Sequence, residues 1–237
     1  MRRRSLPVLL SLLALPLAGC GSGNATFPGA QDTATVSATG ADGAALACEE
    51  PPAAPADVRS FTQDDLPQAL TGDPATLTAT LATTCGDIVL ELDAAAAPQT
   101  VASFAFLAEE GYWDDSPCHR LTTSGIYVLQ CGDPSGTGRG NPGYGYGIEN
   151  APEAGVYPAG TLAMARTADP ESNGGQFFVV YEETQLPTDG GGYSVFGRVT
   201  EGLDIVEAIA AAGAEGGAPD GPPAQPVSIL SVEVDEG

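Results

Sequence analysis

The sequence predicts a mostly β protein, built as an antiparallel sheet or barrel with two helices. Many short segments alternate apolar and polar residues, a pattern typical of strands with one buried face. Two other stretches place apolar residues at helical spacing. Strands and helices do not alternate regularly, so a parallel sheet built from strand–helix–strand units is not expected.

The ordered domain is predicted to begin with a hairpin and a helix. Thr76–Thr83 and Asp87–Asp93 both alternate, and Thr-Thr-Cys-Gly lies between them. The following helix runs from Pro98 to Gly111, because proline favours the first turn of a helix and glycine favours the position after its end.

A second hairpin is predicted in CHRLTTSGIYVLQCGD, residues 118–133, with a two-residue turn at Ser124 and Gly125. A long loop rich in glycine and proline, Pro134–Pro158, follows. The remaining predicted elements are the strands Thr161–Ala165, Gln176–Tyr181 and Val195–Val199, the helix Gly202–Ala212 and the strand Val227–Val234.

Apart from Cys20, the chain has four cysteines, and we expect two disulfides. The two-residue turn places Cys118 directly opposite Cys131, and opposed strand residues have Cα atoms about 4.5–5.5 Å apart, within reach of a disulfide. Cys48 and Cys85 then pair by elimination. A metal site is the alternative, but the chain has no CxxC spacing, so no metal is expected.

The first 19 residues are predicted to be an export signal, with three arginines followed by a short apolar run. Leu17-Ala18-Gly19-Cys20 resembles the bacterial lipobox, which implies acylation of Cys20 and a lipid anchor on the outer face of the cell membrane. An ordinary secretory signal with a chance cysteine is the alternative. Residues 20–75 are expected to form a largely disordered tether, with a short docked piece near 61–70.

The charge excludes several partners. Removing the leader leaves five arginines against 31 acidic residues, a net charge of −26, and there is no lysine. Nucleic acid is therefore not expected as a partner, because phosphate backbones are bound by clustered basic side chains. Membrane contact would depend on the acyl chains rather than on charge. We expect a monomer.

A series of motifs across residues 76–235 resembles the cyclophilin-type peptidyl-prolyl cis-trans isomerases. In order along the chain the motifs are Gly86-Asp87-Ile88, the helix with Pro98 and Phe104, His119-Arg120, Gln130-x-Gly132-Asp133, Asn173-Gly174-x-Gln176-Phe177-Phe178 and Val195-Phe196-Gly197-x-Val199. The resemblance implies a closed eight-stranded antiparallel barrel capped by two helices, an active groove on its outer face, and no cofactor. Proline-containing exported polypeptides would be the substrates.

The resemblance also implies roles for the residues of the second hairpin. Arg120 would donate to the prolyl nitrogen, and Gln130 would position Arg120 and contact the substrate. Tyr127 would line a slot for the proline ring. Ile126 is the alternative, because the interval from Arg120 to Gln130 is two residues longer than is usual in the family.

Other expected contacts follow from the later motifs. Gln176 would contact the substrate backbone, and Phe178 would form the floor of the slot. Because side chains alternate along a strand, Phe177 would point into the core. The remaining expected contacts are Met164, Ala165 through its backbone, Leu186 and Tyr193. Simple core packing is the alternative for Met164 and Leu186.

Four departures from the family pattern support a second hypothesis. Tyr127 replaces the usual phenylalanine, Arg166 the usual asparagine, Gln185 the usual tryptophan and Tyr193 the usual histidine. A scaffold or proline-peptide binding module without useful catalysis would keep the fold and could have Arg166 blocking the slot. A solute-binding lipoprotein also suits the leader, although one small domain lacks a two-lobed cleft. His119 faces away from Arg120, so a structural hydrogen-bonding role is expected.

Overall fold

The structure, a computed structural model, describes residues 46–72 and 75–235. The predicted leader, the lipidation site Cys20 and the first part of the tether lie outside the described residues. The structure has two α-helices, α1 (Pro98–Glu109) and α2 (Leu203–Ala211), and two short 3-10 helices, Gln63–Asp65 before α1 and Glu215–Gly217 after α2. Within these bounds, none of the helices has the length and apolar character needed to cross a membrane. The strands are β1 (Thr76–Thr83), β2 (Gly86–Asp93), β3 (Ser116–Pro117), β4 (Arg120–Thr122), β5 (Val128–Cys131), β6 (Val156–Tyr157), β7 (Thr161–Met164), β8 (Phe177–Val180), β9 (Thr184–Gln185), β10 (Val195–Glu201), β11 (Asp220–Gly221) and β12 (Ser228–Asp235).

Ten of the described strands form one antiparallel sheet, in the order β11-β4-β5-β8-β7-β10-β2-β1-β12-β3. Its two ends meet, because only two residues separate β3 from β4. The amide of Cys118 donates to the Val227 carbonyl at 2.9 Å, and the amide of His119 donates to the Gln130 carbonyl at 3.1 Å. With β3 and β4 taken as one strand and the two-residue β11 set aside, eight strands curl around the core. The predicted mostly β, antiparallel fold class with two helices is confirmed.

The core fills the inside of the curled sheet and is covered by α1. Fully buried Phe104 of α1 places its ring centroid 4.6 Å from that of Trp113 and 5.7 Å from that of Phe177. The Trp113 indole nitrogen donates to the Gly175 carbonyl at 3.0 Å. A buried indole needs such a partner. The bond ties the loop that precedes β8 to the core.

Strand β8 is buried on both faces, and this gives the sheet a second apolar layer. Phe177 and Val179 point into the main core, whereas Phe178 and Val180 belong to a smaller cluster on the other face. Successive side chains of a strand point to opposite sides of the sheet. Phe177 therefore points into the core, as expected, and Phe178 points away from it.

The second hairpin has the predicted disulfide but not the predicted register. Arg120 lies opposite Gln130, and Ser124 bridges to Ile126, so the turn is centred on Gly125 rather than on two residues. Gly125 has φ +80°, a conformation that glycine adopts without a steric penalty. The Cys118–Cys131 disulfide forms despite this one-residue shift. A one-residue shift exchanges the faces of a strand, and here it puts Arg120 and Gln130 on the same side.

Residues 46–72, called the strap below, lie against the domain. The predicted Cys48–Cys85 disulfide fixes one end of the strap. The Leu70 amide donates to the Pro98 carbonyl at 3.2 Å near the other end, and Phe61 packs on the core between them. We expected a largely disordered tether up to residue 75, because this stretch has little apolar periodicity. A single aromatic anchor and a disulfide hold it without any periodic pattern.

Candidate active site

Arg120, Gln130 and Phe178 come together because three neighbouring strands are in register. Arg120 pairs with Gln130 across β4 and β5, and Gln130 pairs with Phe178 across β5 and β8. Directly opposed side chains on one face are in contact range. They border a cavity of about 160 Å³, called the slot below. Its lining residues are Arg120, Ile126, Val128, Gln130, Ala165, Arg166, Phe178, Leu186 and Tyr193.

A series of hydrogen bonds fixes the polar side of the slot. Arg120 Nη1 donates to Gln130 Oε1 at 3.1 Å, and Gln130 Nε2 donates to Gln176 Oε1 at 2.9 Å. Gln176 Nε2 in turn donates to the Gly140 carbonyl at 2.8 Å. In the side-chain amides of Gln130 and Gln176, the oxygen accepts one of these hydrogen bonds and the nitrogen donates another, so the orientation of each amide is fixed. Gln130 is therefore placed to position Arg120.

Asp220 holds the other side of the Arg120 guanidinium. Arg120 Nε and Nη2 each donate to one Asp220 carboxylate oxygen at 2.8 Å. These hydrogen bonds raise the already high pKa of Arg120 and lower the pKa of Asp220. A guanidinium has five N–H groups. Two of them bind Asp220 and one binds Gln130, so two remain. Asp220 was not predicted, because it lies 100 residues from Arg120 in a stretch rich in glycine and proline.

The apolar wall of the slot corrects the prediction for Tyr127. Tyr127 borders a different, shallow depression, where its ring lies 6.0 Å from that of Tyr181. Ile126, the alternative, lines the slot together with Val128. Because residues two apart share a strand face, Ile126 and Val128 point to one side and Tyr127 to the other. Val128 was missed, although its spacing from Gln130 on the same face was a usable signal.

Met164 is also corrected. It is buried in the main core, opposite Phe177, whereas its neighbours Ala163 and Ala165 belong to the smaller outer cluster. Alternation along β7 explains this, since a residue between two outward positions must point inward. The core-packing alternative was therefore the correct one for Met164.

Three expected slot residues do line the slot, namely Ala165, Leu186 and Tyr193. Leu186 is buried, and the Tyr193 ring lies 5.8 Å from that of Phe178 in an edge-to-face arrangement. The Ala165 amide donates to the Gln176 carbonyl at 3.0 Å.

Arg166 stands at the rim of the slot and leaves it open. Its Nε donates to the Gly192 carbonyl at 2.6 Å, and its Nη1 and Nη2 donate to the carbonyls of Thr167 and Asp189. The guanidinium carbon lies 5.1 Å from the centroid of the Tyr193 ring, within cation–π range. These contacts hold the Arg166 guanidinium against backbone carbonyls at the edge of the slot. Gln185 is exposed and donates to the Ala154 carbonyl, and it is not among the residues that line the slot.

A second cavity of about 180 Å³ adjoins the slot and shares Gln130, Ala165 and Arg166 with it. Gln176, which was expected to contact the substrate backbone, also lines it. The other lining residues, which sequence reasoning did not identify as site residues, are Gly138, Arg139, Gly140, Asn141, Thr167, Ser172, Gly174 and Gly175. Of the twelve described residues that line the second cavity, two are arginines and none is a carboxylate. The slot lining likewise has two arginines and no carboxylate, so in this acidic chain the two cavities together form a locally basic region.

Asp133 organises one wall of the second cavity. Its buried carboxylate accepts hydrogen bonds from the amides of Ser135, Arg139 and Gly140 and from the hydroxyls of Ser135 and Thr137. Burial alone would raise the pKa of Asp133, but these bonds outweigh it and lower the pKa to about 2. The carboxylate thus fixes the backbone that leads to Gly140, the acceptor of Gln176.

His119, the only histidine of the chain, is not part of the site. Both of its ring nitrogens are buried, and neither meets the geometric criteria for a hydrogen bond to another described residue. Burial lowers the pKa of His119. Its neighbour Cys118 is in a disulfide, which excludes a cysteine–histidine pair. In the described part of the chain, no group of three or more His, Cys, Asp and Glu side chains is placed to hold a metal ion.

Comparison with known proteins supports this arrangement. The family model described as cyclophilin type peptidyl-prolyl cis-trans isomerase/CLD matches residues 78–234. The chain is 46% identical over 176 residues to the probable peptidyl-prolyl cis-trans isomerase B of Mycobacterium leprae, with 69% of this chain and 58% of that protein covered. It is 42% identical over 120 residues to peptidyl-prolyl cis-trans isomerase B of Bacillus subtilis, with 51% and 80% covered. The chain therefore spans less than two thirds of the mycobacterial relative.

Solved structures are similar as well. A cyclophilin type peptidyl-prolyl cis-trans isomerase of Cryptosporidium parvum matches with a TM-score of 0.58 and 25% identity, over 68% of this chain and 99% of that one. The same protein, crystallised in the presence of the dipeptide Ala-Pro, matches with a TM-score of 0.57 and 26% identity over the same shares.

Proposed function

The chain belongs to the cyclophilin-type peptidyl-prolyl cis-trans isomerase family, and from this premise we propose that it isomerises prolyl peptide bonds in exported polypeptides. The observation that carries the proposal is the Arg120 guanidinium beside an apolar slot. Gln130 and Asp220 hold it there, and two of its N–H groups remain for a ligand.

Isomerisation requires weakening of the amide resonance that gives the peptide bond a rotational barrier of ~18–20 kcal/mol. An N–H donated by Arg120 to the prolyl nitrogen draws its lone pair away from the carbonyl. The nitrogen is a better acceptor in the twisted transition state than in the planar ground state, so the donor stabilises the transition state more. No bond is broken, and the reaction needs neither a nucleophile nor a cofactor.

The other slot residues bind and orient the substrate. The proline ring would pack on Phe178, with Ile126, Val128 and Leu186 around it. The Ala165 carbonyl and the amide of Gln176 would hold the flanking peptide backbone. Binding of a proline peptide is supported by the Cryptosporidium parvum relative, which was crystallised in the presence of Ala-Pro. The substrate is thereby fixed with its prolyl nitrogen towards Arg120.

We also propose that the protein acts as a monomer on the outer face of the cell membrane, anchored through acylated Cys20. The leader sequence supports this, and so do the two disulfides, since disulfides persist in oxidising compartments outside the cytoplasm. Cell fractionation tests the anchor. Wild-type protein should stay with membranes and Cys20→Ala should not; equal membrane retention of both would exclude acylation of Cys20 as the anchor.

A protease-coupled assay with a proline peptide tests the catalytic proposal. We expect the wild-type chain to accelerate isomerisation and Arg120→Ala to lose about 100-fold in kcat/KM, as expected when a transition-state donor is removed. Arg198→Ala is the matched control, because Arg198 pairs with Glu91 on the exposed side of β2 and β10 and does not line the slot. An inactive wild-type chain, or unchanged activity in Arg120→Ala, would overturn the proposal.

A proline-peptide binding module is the second candidate. The observation that favours it is the engagement of Asp220 with Arg120, because a carboxylate partly neutralises the cation that should act on the prolyl nitrogen. This candidate predicts peptide binding without turnover. Measuring peptide affinity alongside the assay separates the two candidates.

A further inference from the structure

We propose that the strap is a working part of the site, in which Phe61 and Gln63 are positioning residues for the second cavity. The strap lies outside residues 78–234, to which the family model matches. The inference rests on the proposed function, since it concerns how the same site holds longer substrates. Its consequence is that the functional unit begins within the strap rather than at β1.

Phe61 anchors the strap to the loop that walls the second cavity. Its ring lies 5.1 Å from that of Phe106 on α1 and 6.4 Å from that of Tyr144 in the loop. Its amide donates to the Pro142 carbonyl at 2.7 Å. Gly143 packs so closely against the Phe61 backbone that a Cβ there would overlap the Phe61 carbonyl. The loop and the strap therefore fit each other through both backbone and side chain.

Gln63 makes a second, two-way contact with the same loop. Its Nε2 donates to the Gly145 carbonyl at 3.0 Å, and its Oε1 accepts from the Gly145 amide at 3.2 Å. One side chain thus satisfies both backbone groups of a single loop residue, as a neighbouring β-strand would. Gln63 itself is exposed. A contact of this kind fixes the position of a backbone more than it adds to the stability of the core.

The contacted loop leads directly to the second cavity. Gly140 and Asn141, which line it, immediately precede Pro142, the acceptor of the Phe61 amide. The Gly140 carbonyl accepts the hydrogen bond from Gln176, which in turn orients Gln130. Asn141 and Pro142 also pack on Gly174, on the opposite wall, where a Cβ would lie 3.0 Å from both. A loop that moved away would widen this cavity and release Gln176.

Four anchors hold the loop from Asp133 to Tyr146. Asp133 binds its first residues, and Tyr146 bridges to Asn173 at its end. Between them, the buried side chain of Tyr144 shares a hydrogen bond of 2.9 Å with Ser103 of α1, and the strap holds the loop backbone at residues 142 and 145. Loss of the strap contacts leaves the Tyr144 side chain in place and frees the backbone at residue 142, next to the second cavity.

The test compares two proline ligands of different length on the full chain. An extended dipeptide, Ala-Pro, spans at most ~7 Å and can fill the slot, whereas a tetrapeptide spans up to ~14 Å and can also enter the second cavity. We expect Phe61→Ala to raise KM for succinyl-Ala-Ala-Pro-Phe-4-nitroanilide about 10-fold with kcat changed less than about 2-fold. The dissociation constant of Ala-Pro, measured by NMR titration, should stay within about 2-fold.

Two further variants keep the proposal falsifiable. Gln63→Glu keeps the size of the side chain but loses the donor to Gly145, and we expect it to raise KM for the tetrapeptide in the same direction without lowering the melting temperature. Arg59→Ala is the control, because its exposed ion pair with Glu110 joins the strap to the end of α1 and not to the loop. It should leave the affinities for both ligands unchanged.

Equal losses for both ligands in Phe61→Ala and Gln63→Glu, or no loss for either ligand, would overturn the proposal and leave the strap a purely stabilising segment. The readouts also separate this inference from the proposed function. If the wild-type chain had no isomerase activity, NMR titration with the two ligands would still show whether the strap controls binding of the longer one.

Discussion

The slot and the second cavity adjoin each other but are held by different means. Slot side chains project from β4, β5 and β8, whose pairing fixes Arg120 opposite Gln130 and Gln130 opposite Phe178. The second cavity is walled by loops, which depend on a buried carboxylate and on the strap. Strand register places a side chain without further support, whereas each loop needs anchors of its own. We infer that the slot provides the chemistry and the second cavity provides adjustable binding.

Asp133→Asn should have the largest effect on the second cavity. The pKa of Asp133 is about 2 in the folded protein, below its ordinary value of 3.8, so the carboxylate contributes on the order of 2 kcal/mol at pH 7. Because the folded-state pKa is the lower one, this stability is present above about pH 4 and is lost as the pH falls through about 2. Urea unfolding should show the full loss at pH 7 and a smaller difference at pH 3.

Asp87→Asn, at an exposed position in β2, is the control for removal of one carboxylate. It should change the free energy of unfolding by no more than about 0.5 kcal/mol. An Asp133→Asn chain as stable as the wild type at pH 7 would show that the loop is anchored without this carboxylate, and the contrast between the two cavities would then weaken.

Gln176→Ala sharpens the comparison, because Gln176 lines the second cavity and hydrogen-bonds to Gln130 of the slot. We expect kcat/KM to fall about 10-fold, with both kcat and KM affected, since one change disturbs two sites. The exposed Gln185, whose amide binds the Ala154 carbonyl, provides the control Gln185→Ala. A change in KM alone would mean that Gln176 does not help to position Arg120.

Asp220→Ala should have the smallest effect. The pair with Arg120 is exposed, with side-chain exposures of 37% for Arg120 and 52% for Asp220, and exposed ion pairs contribute little. We expect kcat to fall about 3-fold through loss of orientation, with KM unchanged and with a smaller difference at high salt. A rise in kcat would instead indicate that Asp220 restrains the enzyme, as in the binding-module hypothesis.

The sequence allowed prediction of the slot far better than of the second cavity. Strand periodicity and motif order predicted the hairpin, the inward direction of Phe177 and the slot residues Arg120, Gln130, Phe178 and Leu186. Periodicity works on strands because each side chain has only two directions to choose between. The same rule gives the correct inward direction of Met164 once its outward neighbours are known.

The failures have physical causes as well. Tyr127 was chosen by its place in the family motif, three residues before Gln130, but an odd spacing along a strand puts two side chains on opposite faces, and Ile126 is the residue that shares the face of Gln130. Asp220 lies beside Arg120 because β11 pairs with β4. No local sequence pattern predicts that pairing. A docked piece near residues 61–70 was expected, but the partners of Phe61, which are Phe106 and Tyr144, were not. Single contacts between distant segments leave no periodic trace in a sequence.

Exchange NMR at a saturating concentration of a proline peptide tests the central claim most directly, because it measures cis–trans interconversion of the bound peptide without a coupled protease. Wild type, Arg120→Ala and Arg120→Lys should be compared, since lysine keeps the charge but loses the planar group that Gln130 and Asp220 hold. We expect the bound-state exchange rate to fall about 100-fold in Arg120→Ala and at least about 10-fold in Arg120→Lys. A wild-type exchange rate in Arg120→Ala would contradict the assignment of Arg120 as the donor to the prolyl nitrogen.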